Sequence, residues 1–475
     1  MNKANLHRVV NLLFCAGFAL SLVLAAFVHI SPSAAQTTDA NWTEPVNLSH
    51  SGSASAPVIV RDSDGVTYVV WHDEFSGAVF TSGDGSEWSQ PEAVEFPFGD
   101  FKPTLVADNS GTIHAFWVDD LGALYYSRVN SRDFSVSTSW AGTQQLSDSA
   151  LDFDVAVDSE DGVHLAYVRP LESSESPAGI YYMSMSKSSG AWSDRELLYK
   201  SPYFRSLSLE DTNVEIDVGE PKDSKQVYVV WDNRPRERVF FAKSNNGGKN
   251  WEDPVEVAKP EEGSVTGGPA NIMVYAQGNE ALLLWQTDRS EASCNQLYEW
   301  SADRGDNWQK PTQLFEDLVI CPQNIQILDG KGGPILMLSA VSTYLQAWNS
   351  KQWSDPQAQP QLTSFVDPET QQLVNLGCQD ALLVNGGELD VVGCDNSGTG
   401  DIWFMKRPLL DIASWFPQAP VWDPPNIITT STIGFADPTI VADAEGRVHA
   451  LWVEKDNYVS SSPGAPIYYA RWESG

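Results

Sequence analysis

Acidic side chains dominate the positions of this 475-residue chain that could do chemistry. Asp73 with Glu74, Asp119 with Asp120, Asp232, Asp288, Asp395 and Glu454 each follow the end of a β-rich run, and Asp152 and Asp437 stand at or near the start of others. Hard cations take oxygen ligands, so Ca²⁺ or a cationic ligand is the partner such carboxylates could hold. No dense Asp-x-Asp-x-Asp loop is present, no cofactor is implied, and solvated surface acids are the plainer reading. One segment reverses the sign. In WDNRPRER at 231–238, Arg234, Arg236 and Arg238 cluster beside Asp232, with Arg289 in the following segment. They read either as arginines paired with neighbouring acids or as a contact for an anion or a glycan.

His114, His164 and His449 invite a metal hypothesis, but each lies three residues before a run-ending aromatic, a slot held by Tyr68 and Tyr228 elsewhere. A slot repeated at a fixed interval cannot converge on one ion, so packing explains it better than ligation.

The interval comes from a phrase that recurs along the chain. It is a Pro-led β-rich run, a polar turn with Gly, a second β-rich run ending in an aromatic, then acids. It reads PVIVRDSDGVTYVVWHD at 57–73, PTLVADNSGTIHAFWVDD at 103–120, FDVAVDSEDGVHLAYV at 153–168 and PTIVADAEGRVHALWVE at 438–454. Weaker copies end at Trp231, Trp285, near Leu338 and near Gly393, and successive ends lie 46 to 64 residues apart. A second half follows: an aromatic strand, a Ser/Gly turn, then Trp-x-x-Pro, as in WSQPEAV at 88–94 and WEDPVEV at 251–257. Two hairpins make four strands per repeat, the size of one propeller blade. Runs such as TYVVW and ALLLW are apolar on both faces, as a sheet sandwiched between neighbours requires, and no segment keeps a helical period.

These features predict an all-β chain forming a single β-propeller of four-stranded antiparallel blades. Eight inner phrases favour eight blades, with seven as the alternative because two copies are degenerate. The chain opens with WTEPVNL at 42–48, an outer strand lacking partners, and stops at IYYARWES, a third strand lacking a fourth. The expectation is that strand 42–48 joins the C-terminal blade and leaves no open sheet edge.

Residues 1–35 stand apart: Lys3 and Arg8 precede an apolar stretch from about Leu12 to Ile30, followed by Ser33, Ala34 and Ala35. This predicts a signal peptide, with an uncleaved membrane anchor as the alternative, and a propeller domain over 36–475 that is secreted or extracellular. With 63 acidic against 29 basic residues and a formal charge of -34, the chain is a poor partner for nucleic acid. Membrane contact is confined to the N-terminal segment.

The Ser/Gly turns carry a family resemblance. SADRGDNW at 301–308 fits Ser-x-Asp-x-Gly-x-x-Trp, and SNNGGKNW at 244–251 fits it with Asn246 for Asp. TSGDGSEW at 81–88 and SKSSGAW at 186–192 are variants. They resemble the Asp-box, or BNR, repeats of sialidase-like β-propellers. In the two full boxes, Ser301, Asp303, Gly305 and Trp308, and Ser244, Asn246, Gly248 and Trp251, read as structural: the carboxylate or amide holds its own turn while the Trp covers the hairpin.

The resemblance places box turns on one face and ligands near the axis of the other. It also implies an Arg clamp for a substrate carboxylate. Here Ser55, Phe101 and Ala436 occupy the places where the first Arg would stand, and no Tyr/Glu pair is assignable, so no catalytic residue is named. Ligand-contact candidates are Asp73, Asp119, Asp232, Arg234, Arg236, Asp288, Arg289 and Asp395. The expected function is a non-catalytic binding or interaction module, with a glycan or an extracellular protein as partner. The alternative is a glycoside hydrolase using carboxylates on the ligand-facing side.

Four cysteines follow the leader, an even number in a chain passing an oxidising compartment. On the propeller their loops reach one face in the pairs Cys294–Cys321 and Cys378–Cys394. Mass mapping of non-reduced peptides is expected to return these two pairs; free thiols or crossed pairs would refute the assignment.

Overall fold

The structure is a computed structural model that describes residues 42–206, 212–220, 224–233, 236–259, 268–287, 296–315, 322, 324–330, 333–384, 387–396, 400–417, 426–427, 435–443, 447–454 and 467–472. The chain divides into two compact units, one of residues up to 345 with 358–409 and one of 346–357 with 410–475.

Each repeat phrase becomes one antiparallel sheet whose strands follow in chain order. Blades 1 to 6 begin with the strands Ala54–Arg61, Thr104–Ala107, Asp152–Val157, Val214–Gly219, Ala270–Gln277 and Asn324–Leu328. Blade 7 consists of Leu373–Val384, Glu388–Asp395 and Ile402–Pro408, completed by Val46–Asn47 and edged by Ser364–Val366. Among the described residues the ring therefore has seven blades, a seven-bladed β-propeller.

Side-chain alternation explains why blades need neighbours. Along the second strand of blade 1, Tyr68 and Val70 join the core shared with blade 2, whereas Val69 and Trp71 join the core shared with blade 7. Along that of blade 4, Val227, Val229 and Trp231 face blade 3, and Tyr228 and Val230 face blade 5. The period of two splits each strand between two interfaces, so both its faces must be apolar.

The expected closure is corrected. Strand Val46–Asn47 pairs with Ile402–Pro408 of blade 7, with Val46 opposite Phe404, and not with the C-terminal strand. That strand, Ile467–Trp472, has its own outer partner in Asn426–Ile427, and with Phe435–Ala442 and Val448–Glu454 it forms a separate sheet in the second unit. The preference for blade 7 has a local cause at Asp401, where one carboxylate oxygen accepts from Ser49 Oγ at 3.1 Å and from the N–H groups of Ser51 and Gly52 at 2.9 and 3.0 Å. Ser49 Oγ in turn accepts the Ile402 N–H at 3.0 Å.

Cys378 and Cys394 form a disulfide across the first two strands of blade 7, with Cα atoms 5.5 Å apart. Cys294 and Cys321 lie outside the described residues. The apolar stretch 12–30 lies outside them too, and among the described residues no helix is long and apolar enough to cross a membrane.

Because the Asp401 carboxylate holds three donors of the closing segment, Asp401→Ala is expected to cost about 2 kcal/mol in urea unfolding, the size of a lost charge-assisted bond. Unchanged stability would show that the short strand alone closes the ring.

Candidate functional site

The two faces of the ring carry different chemistry. On the box-turn face, Asp303 Oδ1 accepts from Ser301 Oγ at 2.7 Å and from Asn307 N at 2.9 Å, and Gly305 N donates to Ser301 Oγ at 2.9 Å. Hydrogen bonds from the Asn307 and Ser301 side chains and the Asn307 backbone pull Asp303 down to about 2. Asn246 repeats the arrangement, with Ser244 Oγ and Asn250 N each at 2.9 Å. The glycine is required: Gly248 has φ +81°, and a Cβ there would stand 1.9 Å from Tyr182 Oη.

The box tryptophans reach further than their own hairpins. Trp88, Trp192, Trp251 and Trp308 meet Phe404, Tyr126, Tyr182 and Phe241 edge-on, with centroids 4.8 to 5.4 Å apart. Each partner lies on the third strand of the preceding blade, so the box also fastens one blade to the last.

The histidines belong to the same scaffold. His114 Nδ1 lies 2.9 Å from Tyr126 Oη and Nε2 3.4 Å from Asp108 Oδ2; for His164 the partners are Tyr182 at 2.7 Å and Asp158 at 3.0 Å. His449 repeats this with Tyr469 and Asp443 at 2.8 and 3.0 Å. A carboxylate only accepts, so Nε2–H donates to Asp and Nδ1 accepts from Tyr. Each Asp also caps the first hairpin turn of its repeat, as Asp158 Oδ1 does for Gly162 N at 2.8 Å.

On the opposite face, the loop carboxylates turn inward to their own turns. Asp73 accepts from Ser53 Oγ, Phe75 N and Ser76 N at 2.8 to 3.1 Å. Burial opposes ionisation there, but hydrogen bonds from Ser51, Ser53 and the turn hold Asp73 at about 2. Asp119 accepts from Leu121 N and Ala123 N at 2.9 and 2.8 Å. Asp395 is buried at the end of its strand. Arg236 donates to Tyr199 Oη at 3.0 Å and Arg238 to Glu256 at 2.7 Å. Arg234, Asp288 and Arg289 lie outside the described residues, and Asp437 and Glu454 fall in strands of the second unit.

Asp232 has a different role from the direct ligand contact expected of it. It is fully buried, and its two oxygens accept the N–H groups of Asn213 and Asn271, both at 2.9 Å. Those two asparagines open the innermost strands of blades 4 and 5. Asn271 sits on a β-bulge with φ +52°, a conformation asparagine tolerates better than most residues; Ala56 and Cys378 hold similar places in blades 1 and 7.

At this end of the axis Asn213, Glu215, Asn271, Met273, Gln286, Gln296, Pro322, Asn324 and Ile325 line a recess of about 230 Å³. Asn213 Nδ2 donates to Ile272 O at 2.6 Å and Asn271 Nδ2 to Gln286 Oε1 at 2.9 Å. Gln296 is 2% exposed, yet its amide makes no hydrogen bond to another described residue.

Deeper along the axis, innermost-strand carboxylates accept otherwise unpaired N–H groups of the next blade. Asp152 takes Val214 N, Asp154 takes Ile216 N, Asp217 takes Ala276 N and Asp380 takes Ile59 N, at 2.7 to 3.0 Å. Burial pushes Asp152 and Asp217 up to about 7 and Asp154 to about 6. Burial and the Asp154 carboxylate raise Glu215 well above the usual range, so Glu215 donates a proton to Asp154. Among the described residues no three His, Cys, Asp or Glu side chains are disposed to hold a metal ion.

No protein-family model and no curated protein matches the chain in sequence. Among solved structures, the polysaccharide lyase Uly1 is 9% identical over 78% of this chain and 100% of its own, with a TM-score of 0.48. A protein of unknown function from Dyadobacter fermentans is 12% identical over 78% and 100%, at 0.41. The Aleuria aurantia lectin, described as a six-bladed β-propeller with a novel fucose recognition mode, is 13% identical over 63% and 94%, at 0.38. Likenesses this distant carry no functional argument; the ring rests on the strand pairing above.

The raised carboxyls fix the sign of a pH effect. Between about pH 4 and 7 the folded protein holds protons on Asp152, Asp154 and Asp217 that the unfolded chain has released, so stability falls as pH rises through 7. Asp390 adds to this: it is fully buried at about 7 by burial, with no hydrogen bond and Arg61 3.7 Å away. The thermal midpoint is expected to be higher at pH 5 than at pH 8. A midpoint that rises with pH over this range would contradict the assignment.

Proposed function

We propose that the chain is an exported, non-catalytic glycan-binding propeller, related in fold to the Asp-box propellers of sialidases. The axial recess carries this reading. Its volume suits one sugar ring, and its rim is made of amide side chains, each able to donate and accept, as paired sugar hydroxyls demand. Met273 supplies an apolar wall, and Gln296 is buried with its hydrogen-bonding capacity unused. Leaving a buried amide unsatisfied costs free energy unless a ligand completes it. Export follows from residues 1–35 and agrees with a disulfide in blade 7. A protein partner and a Ca²⁺ ion remain secondary proposals, without a comparable cavity or ligand set behind them.

Glycoside hydrolysis is the second reading, and one observation favours it: Glu215 and Asp154 share a proton inside a cleft, as an acid and its conjugate base would. Against it, one Asp154 oxygen is committed to Ile216 N–H, and the positions expected for the first clamp arginine hold Ser55 and Phe101.

A glycan array with the full chain tests the choice. Binding is expected without turnover of aryl glycosides. Gln296→Ala is expected to weaken it about tenfold while leaving the melting temperature unchanged, because that amide supports nothing in the fold. Hydrolysis abolished by Glu215→Gln would establish the second reading instead.

A further inference from the structure

The recess carries more carboxyl than a neutral sugar requires. Glu215 lines it, and Asp152 and Asp154 from the neighbouring innermost strand, with Asp217 from its own, are the charges that act most on Glu215. All four lie at alternate positions, 152 and 154, 215 and 217, and so project from one side of their strands. Asp152, Asp154 and Asp217 each commit an oxygen to a backbone N–H, and Glu215 accepts none of these bonds. Asp232, behind the same strands, is committed to Asn213 and Asn271. The proton shared by Glu215 and Asp154 is the positive charge that the site now contains. A metal ion would need six or more oxygens around a point, and no such set is disposed for it among the described residues. An ammonium group has three donors and needs only two or three acceptors.

Resting on the glycan-binding reading, we infer that the recess selects sugars bearing a free amine, the ammonium group seated on Glu215 and Asp154 and the hydroxyls on Asn213 and Gln296. The second support is independent of the acids: the Gln296 amide is almost completely buried, without a hydrogen-bond partner, in the wall of the same recess. On binding, the ammonium group replaces the proton between Glu215 and Asp154, which leaves to solvent; no bond to carbon or nitrogen is made or broken.

The test is calorimetric titration of the full chain with three probes of equal length: a glucosamine trimer, its fully N-acetylated counterpart and cellotriose. The glucosamine trimer is expected to bind at least tenfold tighter than the other two, with proton release seen as a heat that varies with buffer. Glu215→Gln keeps the shape and is expected to erase the preference, while Gln296→Ala weakens all three alike; thermal melts verify that both variants fold. Equal affinity for the three probes overturns amine selection and leaves the glycan reading standing. No binding of any probe, together with an empty glycan array, overturns both.

Discussion

A sheet that is apolar on both faces cannot exist alone in water. Every blade of the ring is built from strands of this kind, and alternation divides each strand between two neighbours, as Tyr68 and Val70 against Val69 and Trp71 illustrate. Burial is complete only when the last blade meets the first. The innermost strands add a second demand, because one edge of each faces the axis with backbone donors unpaired. Asp152, Asp154, Asp217 and Asp380 meet it by reaching across to the next blade. Carboxylates in the centre of the molecule are thus first a consequence of assembling sheets radially.

That requirement also shapes the recess. Asp232 is buried to hold two backbone N–H groups, and those groups belong to Asn213 and Asn271 at its rim. The bulge that turns Asn271 has equivalents at Ala56 and Cys378, so the recess is a repeated device put to local use where the bulged residue is an amide. Where polar groups serve the scaffold they are satisfied, as Asp73, Asp119 and Asp303 show. The Gln296 amide has no such employment.

Most of the architecture was legible in the sequence, because blade cores recur: the Pro-led run, the Asp-Gly turn and the strand-ending aromatic mark where strands begin and stop. The degenerate copies near Leu338 and Gly393 proved to be true blades. The number of blades in the ring was not legible. A closing strand of two residues accepts almost any third strand, and its choice of Ile402–Pro408 depends on Asp401, which is adjacent to Ser49 only after folding. The strand Asn426–Ile427, which completes the C-terminal sheet, is also too short to stand out beside Asp423, Pro424 and Pro425. The loop acids were visible but their use was not, since the same Asp serves a ligand or its own turn according to where the N–H groups point. The recess went unread because isolated amides form no motif. One signal was present: acids at 152 and 154, and at 215 and 217, interrupt strands that a blade would otherwise fill with Val and Ile.

The edge-on contacts of the box tryptophans point backward along the chain: Trp192, Trp251 and Trp308 each seat on a blade made earlier, whereas Trp88 seats on Phe404, made last. A ribosome delivering this polypeptide would release each new hairpin to a finished receptor, in ratchet fashion. The exception waits through more than three hundred residues of synthesis with its indole unsheltered. Chaperone dependence would therefore concentrate on the opening blade, and the latest-arriving receptor would set the moment at which the nascent molecule stops being adhesive.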